Sequence, residues 1–382
     1  MPDNTIRGRF APSPSGRLHL GNMLTFLLAW LDVRARGGTM VFRLEDLDPE
    51  RSWEHYADLM ADDLLWLGLD WDEGWRPGSQ DCRQGTRAQR YTAALDALTE
   101  RGMVYDCYCS RAERLAASAP HPGEPHEAGC PCRTLSEQEV QKRLRMGRRA
   151  AKKLAVTDAD IAFVDAHYGL QAAELRHGRD DFLIRRSDGV FAYQLAVSVD
   201  DLDMGITRVV RARDLLDSTP RQIWLMGTLG GKAPEYAHAP LLVAPDGRKL
   251  SKREGDLNME TLRQKYTPEQ LTGMLAKLAG LRSSAASDVY KRQEIHTRAV
   301  DRNARQARGS AANGRAGDGN RAGSGLFLGQ GPARGHSDPG GLLIRDARWA
   351  HPDGCAHFPC SYFFSSRSRM VLCAASSAVS SS

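Results

Sequence analysis

The sequence predicts an α/β protein built on a doubly wound parallel sheet, interrupted by a small cysteine-bearing insertion and followed by a tail of different composition. Three observations carry this. Ile6 to Ala11 reads as a short strand that runs through a turn-rich loop, Pro12 to Gly16, into an apolar-periodic helix over Met23 to Arg36. Thr39 to Leu44 is a second, mostly apolar strand, suited to the centre of a parallel sheet. After the cysteines, a further block of strands and helices fills residues 179–282. Strand, helix, strand in this order is a right-handed crossover unit.

The totals fit such a protein. A chain of 382 residues, 41% hydrophobic, can bury a large core and hold two or more domains. The 52 Lys and Arg against 47 Asp and Glu make it mildly basic, which suits RNA without pointing to it. No run of 18 apolar residues occurs, and the polar N-terminus lacks the apolar stretch of a signal peptide. We therefore expect no membrane partner and a cytoplasmic location. Eight cysteines, four of them clustered, suggest metal binding rather than disulfides.

In the first unit, Asn22 reads as the N-cap of the helix and Gly37-Gly38 as its end. A strand entering a helix N-terminus through a Pro/Gly loop is a ready anion site. Gly21 lets a ligand approach the backbone, and His19 and Asn22, one turn apart, can face it together. A buried histidine in an ordinary connection is the bland alternative. The second strand ends at Glu45-Asp-Leu-Asp48, on the carboxyl edge where open α/β sheets bind ligands. Glu45 could hold a substrate ammonium there or be a solvated strand end. Asp48-Pro49 then begins a helix carrying Trp53, Tyr56, Met60, Leu64 and Leu67 on one side, and Leu69 to Gly74 is irregular. Arg87 to Arg101 is helical again.

Cys107, Cys109, Cys130 and Cys132 form two Cys-x-Cys pairs that suit a closed tetrahedral zinc site, or are four free thiols in a loop. Residues 136–178 are charged, and the basic run Lys142 to Lys153 reads as a solvated helix face or as a contact for RNA, the former preferred. Asp180 to Val197 reads as a hairpin turning at Asp188-Gly189, which places Tyr193 inside its second strand. Val209 to Arg211 is another strand end, a helix starts near Arg221, and His238 to Ala244 is a strand. Arg248 to Arg253 is an exposed basic loop, and Thr267 to Leu281 is the last amphipathic helix. Arg9 and Arg211, at predicted carboxyl ends of strands, can grip carboxylates bidentately or serve as surface ion pairs. Beyond residue 283 the glycine-rich composition cannot offset chain entropy. Asp288-Val-Tyr-Lys-Arg-Gln293 resembles a translated transposon end, so the tail reads as disordered or chimeric.

Pro12-Ser-Pro-Ser-Gly-Arg-Leu-His-Leu-Gly-Asn22 resembles the first signature of class I aminoacyl-tRNA synthetases. Arg9-Phe-Ala-Pro-Ser13 is similar to its glutamate-specific branch, and Lys249-Leu-Ser-Lys-Arg253 resembles the second signature. Ala192-Tyr-Gln-Leu-Ala-Val197 and Leu215-Leu-Asp-Ser-Thr-Pro-Arg-Gln222 resemble strings of the glutamyl-Q tRNA(Asp) synthetases, the branch that lacks an anticodon-binding domain. Ala212-Arg213 departs from the usual Gly-Ala of that branch.

The resemblance implies a Rossmann-like catalytic domain, its first half in residues 1–103 and its second in 179–282. A zinc-bearing insertion and connecting subdomain, 104–178, would separate them, and the tail would fill 283–382. It implies ATP with Mg²⁺, bound through His19, Gly21, Asn22 and Lys252, with His19, Asn22, Lys249 and Lys252 catalytic. It implies glutamate bound by Arg9, Phe10, Ala11, Pro12, Ser13, Glu45, Tyr193 and Arg211. One Zn²⁺ would sit on the four cysteines. Relatives use a tyrosine and a single final cysteine in the second half of that site, so Cys130 stands as the substitute ligand with His126 in reserve. The implied reaction activates L-glutamate and passes it to the queuosine base of tRNA(Asp), by a monomer. The alternatives are a truncated glutamyl-tRNA synthetase charging a 3′ end and a non-catalytic RNA-binding relic.

Overall fold

The computed structural model describes residues 5–110, 113, 129–243 and 257–281, together with three short strands at Leu343–Ile344, Tyr362–Phe364 and Met370–Leu372. Strand β1, Arg7–Phe10, pairs in parallel with β2, Thr39–Phe42, and β2 pairs in parallel with β3, Glu73–Gly74. The second half adds β9, Arg208–Ala212, parallel to β10, Glu235–Ala239. The halves meet where Thr207 N donates to the Arg7 carbonyl at 2.9 Å, so β9 runs beside β1. The order β3–β2–β1 followed by β9–β10 is the layout expected of a doubly wound sheet.

Both faces of that sheet are covered, and the alternation along each strand shows it. Met40 and Phe42 belong to the main core, whereas Val41 between them belongs to a separate cluster with Ile206, Val209 and Tyr236. Val210 and Ala237 likewise face the main core while their neighbours Val209 and Tyr236 face away. Helix α1, Leu20–Ala35, fills the main-core face and packs on β1, β2, β9 and β10. Asp32 of α1 also takes Arg208 of β9 in a buried ion pair at 2.7 Å.

Several local expectations are corrected. The N-cap of α1 is His19, not Asn22. Asn22 is the third helical residue, and the two make a reciprocal capping box: Asn22 N donates to His19 Nδ1 at 3.4 Å, and His19 N to Asn22 Oδ1 at 3.1 Å. Leu20 and Met23 are core residues, which pulls the first turn earlier than the apolar pattern alone suggested. Asp48 caps only a short 3₁₀ turn, Pro49–Arg51; the helix proper, α2, is Glu54–Trp66. Trp53, placed on the buried side from sequence, is 46% exposed. Glu73–Gly74, expected to be irregular, completes the parallel sheet, and Gly74 at φ +97° lies against the Phe42 carbonyl, where a side chain has no room.

The largest correction concerns Val190 to Val197. Strand β8, Phe182–Arg185, is present, but the return is a single bridge at Phe191 followed by a helix, Tyr193–Asp203. Tyr193 is therefore the first helical residue, not a strand residue. Leu195, Ala196 and Val199 pack with Leu95, Leu98 and Ile184 in a second core, a spacing only a helix delivers.

The connecting region is ordered more regularly than its charge suggested. Helix Glu137–Arg145 opens with a Ser136–Glu139 capping box, and an antiparallel hairpin, Ala159–Asp165 with Gly169–Leu175, joins the sheet through the Asp165–Tyr236 register. Strands Val104–Cys107, Ala151–Leu154 and β8 form a small antiparallel sheet beside the cysteines. A helix at Met259–Lys265, unforeseen, precedes Pro268–Leu278; both join the main core through Met259, Leu262, Leu271 and Leu275, and the second packs on α1. The expectations for the tail lie outside the described residues, save that Leu242–Val243 pairs with Leu343–Ile344.

The fit of α1 on β1 is tight at one point: a Cβ at Gly8 would lie 2.3 Å from Val33 Cγ2. Gly8→Ala should cost about 1–3 kcal/mol of unfolding free energy through overpacking. Denaturant melts of Gly8→Ala, Val33→Ala and the double variant should show the pair partly compensating; strictly additive losses would refute the contact.

Candidate active site

The first turn of α1 and the segment after residue 256 are brought together at His19. Leu18 accepts from Met259 N at 2.9 Å, and His19 bridges to Asn258 in antiparallel fashion. Asp63, fully buried on α2, takes both Arg17 and Arg263 at 2.9 Å and so pins the two segments. The chain that carries Lys249 and Lys252 therefore re-emerges against the first motif, although both lysines lie outside the described residues. Gly21 sits under the His19 ring: a Cβ there would be 3.1 Å from His19 Cε1. His19, Gly21 and Asn22 are all partly exposed, as a ligand site requires.

The carboxyl ends of β1, β2 and β9 hold a buried charge cluster. Arg43, with no exposure, donates to Asp201 at 2.5 Å and to Glu45 at 3.1 Å. Arg9 Nε donates to the same Asp201 oxygen at 3.4 Å and Arg9 Nη1 to the Val210 carbonyl at 3.3 Å. Asp200, the neighbour of Asp201, is held by Arg87 at 2.6 Å, Gln84 at 2.7 Å and the Tyr91 hydroxyl. Three arginines and three carboxylates thus balance in the interior, as buried charges must. Burial would raise the Asp201 carboxyl, yet Arg43 and Arg9 hold it below its ordinary value. Glu45 goes the other way: burial lifts it despite the same two arginines, which leaves a carboxylate that gains from a further cation.

Arg211 lies on the other side of the same edge. Its Nε donates to His238 Nε2 at 3.0 Å, Nη1 to Gln222 at 2.7 Å, and Nη2 to Thr219 at 2.8 Å and to the Leu215 carbonyl at 3.4 Å. Four of its five N–H groups are engaged, so it offers a ligand one hydrogen, not the fork expected from sequence. Burial pushes the Tyr193 phenol up, and the charges of Arg211, Glu45, Arg9 and Asp201 all reach it. Tyr193 therefore stands near Arg9, Glu45, Arg211 and Asp201 at the same sheet edge. Ala11 and Ser13 are partly or fully exposed on the adjoining loop, and Pro12 is buried with its carbonyl accepting from Glu45 N. Phe10 is wholly buried, its ring edge-on to Phe26 and Phe42 and its carbonyl accepting from Arg43 N at 2.9 Å, so it supports the edge from behind.

Sequence reasoning missed Arg43, Asp201, His238 and Asp165. A signal existed for two of them: Arg43 precedes Glu45 by two residues, and His238 is the register partner of Arg211 across β9 and β10.

The four cysteines form a separate centre. Cys107 and Cys132 are buried, and all four sulfurs lie within 4.8 Å of one another. The close separations are 3.6 Å for Cys107–Cys130, 3.9 Å for Cys109–Cys130 and 3.4 Å for Cys109–Cys132. A tetrahedral ion with metal–sulfur bonds of roughly 2.3 Å sets its ligands roughly 3.8 Å apart, so the donor set fits. Tyr108 N donates to Cys132 Sγ at 3.2 Å, an outer contact of the kind that orients a thiolate. His126, the reserve ligand, lies outside the described residues.

Comparison with known proteins places this arrangement. Residues 5–314 match the family model for tRNA synthetases class I (E and Q), catalytic domain. The chain is 48% identical over 285 residues to a glutamyl-Q tRNA(Asp) synthetase of Nitratidesulfovibrio vulgaris, covering 72% of this chain and 87% of that protein. It is 47% identical to one from Symbiobacterium thermophilum, with 72% and 86% covered. Among solved structures, a glutamate tRNA ligase from Elizabethkingia meningosepticum aligns with TM-score 0.59 and 27% identity, covering 72% of this chain and 61% of the ligase. Among the described residues, no helix is long and apolar enough to cross a membrane. The family match over most of the chain and the identity to these relatives show that the chain belongs to the class I tRNA synthetases, in the branch defined by the E and Q catalytic domain.

Proposed function

We propose that the protein activates L-glutamate with ATP and Mg²⁺ and transfers it to the queuosine base of tRNA(Asp), in the cytoplasm. The placement of Arg9, Glu45, Tyr193 and Arg211 near one another at one sheet edge carries this reading, because their charges match those of free glutamate. Glu45, lifted by burial, takes the substrate ammonium. Arg9, whose Nη2 makes no hydrogen bond among the described residues, takes one carboxylate, and the remaining N–H of Arg211 with the Tyr193 hydroxyl takes the other. Ala11, Pro12 and Ser13 line the approach.

ATP lies over the start of α1, where His19, Gly21 and Asn22 flank the helix N-terminus. The glutamate α-carboxylate attacks the α-phosphorus; the bond to pyrophosphate breaks and a glutamyl-adenylate forms. Charge accumulates on the phosphoryl oxygens in that step, and Lys249 and Lys252 stabilise it, with Mg²⁺ supplying further neutralisation when bound. The acceptor then takes the glutamyl group and AMP leaves. The higher identity to glutamyl-Q synthetases than to glutamate–tRNA ligases, 48% against 37%, favours the queuosine acceptor over a tRNA 3′ end. Labelled glutamate on acid gels decides: label on the anticodon nucleotide supports the proposal, and label on the 3′ nucleotide overturns it.

The Cys107, Cys109, Cys130 and Cys132 centre is proposed to hold one structural Zn²⁺. Freshly purified protein should contain about one zinc per chain by metal analysis, and Cys107→Ser or Cys132→Ser should release it and lower thermal stability. Zinc-free protein of unchanged stability would reject the assignment.

Lys252→Ala should lower kcat for ATP–pyrophosphate exchange by about 100- to 1,000-fold, the size of losing one charge-stabilising donor, with little change in the KM for glutamate. A rise in KM matching the loss in rate would remove the lysine from the transition state.

A further inference from the structure

Behind Arg211 lies a buried pair that neither the sequence motifs nor the reaction accounts for. His238 has no exposure and Asp165 has 1%. They come from different elements, His238 from β10 and Asp165 from the end of the hairpin strand that joins β10. Asp165 Oδ2 accepts from His238 Nδ1 at 2.6 Å, and its Oδ1 accepts from the backbone N–H groups of His167 and Tyr168. With Nδ1 protonated toward Asp165, Nε2 is the bare nitrogen, and it faces the Nε–H of Arg211 at 3.0 Å.

We propose that Asp165 and His238 are positioning residues for glutamate recognition: the neutral imidazole, held in one tautomer by Asp165, fixes the Arg211 guanidinium so that its free N–H meets the substrate. The inference rests on reading Arg211 as a glutamate contact. A guanidinium can be oriented only by acceptors, and here there are four: His238 Nε2, Gln222 Oε1, Thr219 Oγ1 and the Leu215 carbonyl. Of these, only the histidine can change charge. Protonating Nε2 would replace an acceptor with a donor and set a second cation against Arg211, driving the guanidinium out of place.

The surroundings keep that from happening near neutrality. Around the imidazole stand Asp165 from the hairpin, Arg211 and Arg213 from β9 and the turn after it, Thr219 from the helix Thr219–Thr228, and the stacked Tyr236 from its own strand. Burial pushes His238 below its ordinary value; Arg211 and Arg213 add to this, against the pull of Asp165. The neutral form therefore persists to lower pH than for a free histidine, and glutamate recognition should weaken only on the acid side.

The test is ATP–pyrophosphate exchange from pH 5.5 to 8, with KM measured separately for glutamate and ATP. In wild type the glutamate KM should rise toward the acid end while the ATP KM stays level. His238→Gln keeps an uncharged acceptor near the Nε2 position, so it should retain a glutamate KM within a few-fold of wild type at pH 8 and show a smaller acid-side rise, the part left being that of Glu45. His238→Ala should raise the glutamate KM roughly 10- to 100-fold with the ATP KM little changed, the scale of misplacing a substrate-positioning group. Imidazole ¹⁵N resonances of the whole protein should report Nδ1–H with a bare Nε2 at pH 7. Parallel losses for both substrates, an acid-side rise undiminished in His238→Gln, or an Nε2–H tautomer would each overturn the proposal. Absence of glutamate-dependent exchange in wild type would instead remove the parent reading, and this one with it.

Discussion

Arg43 carries a full charge with no access to water, and its contact with Asp201 is the interaction on which the site depends. Asp201 belongs to the second half of the catalytic domain, while Arg43 and Glu45 belong to the first. The pair therefore does two things at once: it joins the halves, and it fixes the separation between Glu45 and Arg9, since Asp201 also holds Arg9. Breaking such a pair leaves an uncompensated charge and costs on the order of 3–5 kcal/mol, whereas the intact pair contributes little net stability. Its value is positional. A pocket that must match two carboxylates and an ammonium needs its own charges held at fixed distances, and Arg43 does that from behind.

The same logic explains why recognition is spread over two layers. Arg211 touches the candidate site with one hydrogen and spends the rest on His238, Gln222, Thr219 and Leu215. Gln222 is in turn fixed by Gln194, one residue along from Tyr193. The inner residues thus inherit their orientation from neighbours that a motif does not name. The cysteine centre is tied in similarly: Asp181 accepts from Tyr105 and Arg133 beside the cysteines and from Val156 N, and so anchors the insertion to the start of β8.

What could be read from the chain was local or covalently close. The loop from Arg9 to Asn22 and the two Cys-x-Cys pairs are short strings whose geometry is set by neighbours in sequence. The strand Thr39–Phe42 announced itself by being apolar on both faces. Val190 to Val197 could not be read, because a short run of aromatic and β-branched residues satisfies strand and helix periods alike, and packing against Leu95 and Leu98 decided it. His19 displaced Asn22 as N-cap for a similar reason, since Leu20 and Met23 had to reach the core. Arg43 and Asp201 look like ordinary surface charges in one dimension. Only their meeting across the sheet edge makes them central.

Their separation in the chain, 158 positions, has a further consequence for biosynthesis. A ribosome adding about 5–20 residues per second makes Arg43 roughly ten to thirty seconds before its partner. Until then Glu45 is the carboxylate contact of Arg43 already made, and burying the guanidinium without Asp201 leaves its charge only partly compensated. The charge balance at the carboxyl ends of β1 and β2 is complete only once the helix Tyr193–Asp203, which carries both aspartates, has been made. Closure becomes a late, single event in which the arriving helix Tyr193–Asp203 delivers both aspartates together. Vectorial synthesis and site assembly are coupled through one salt bridge.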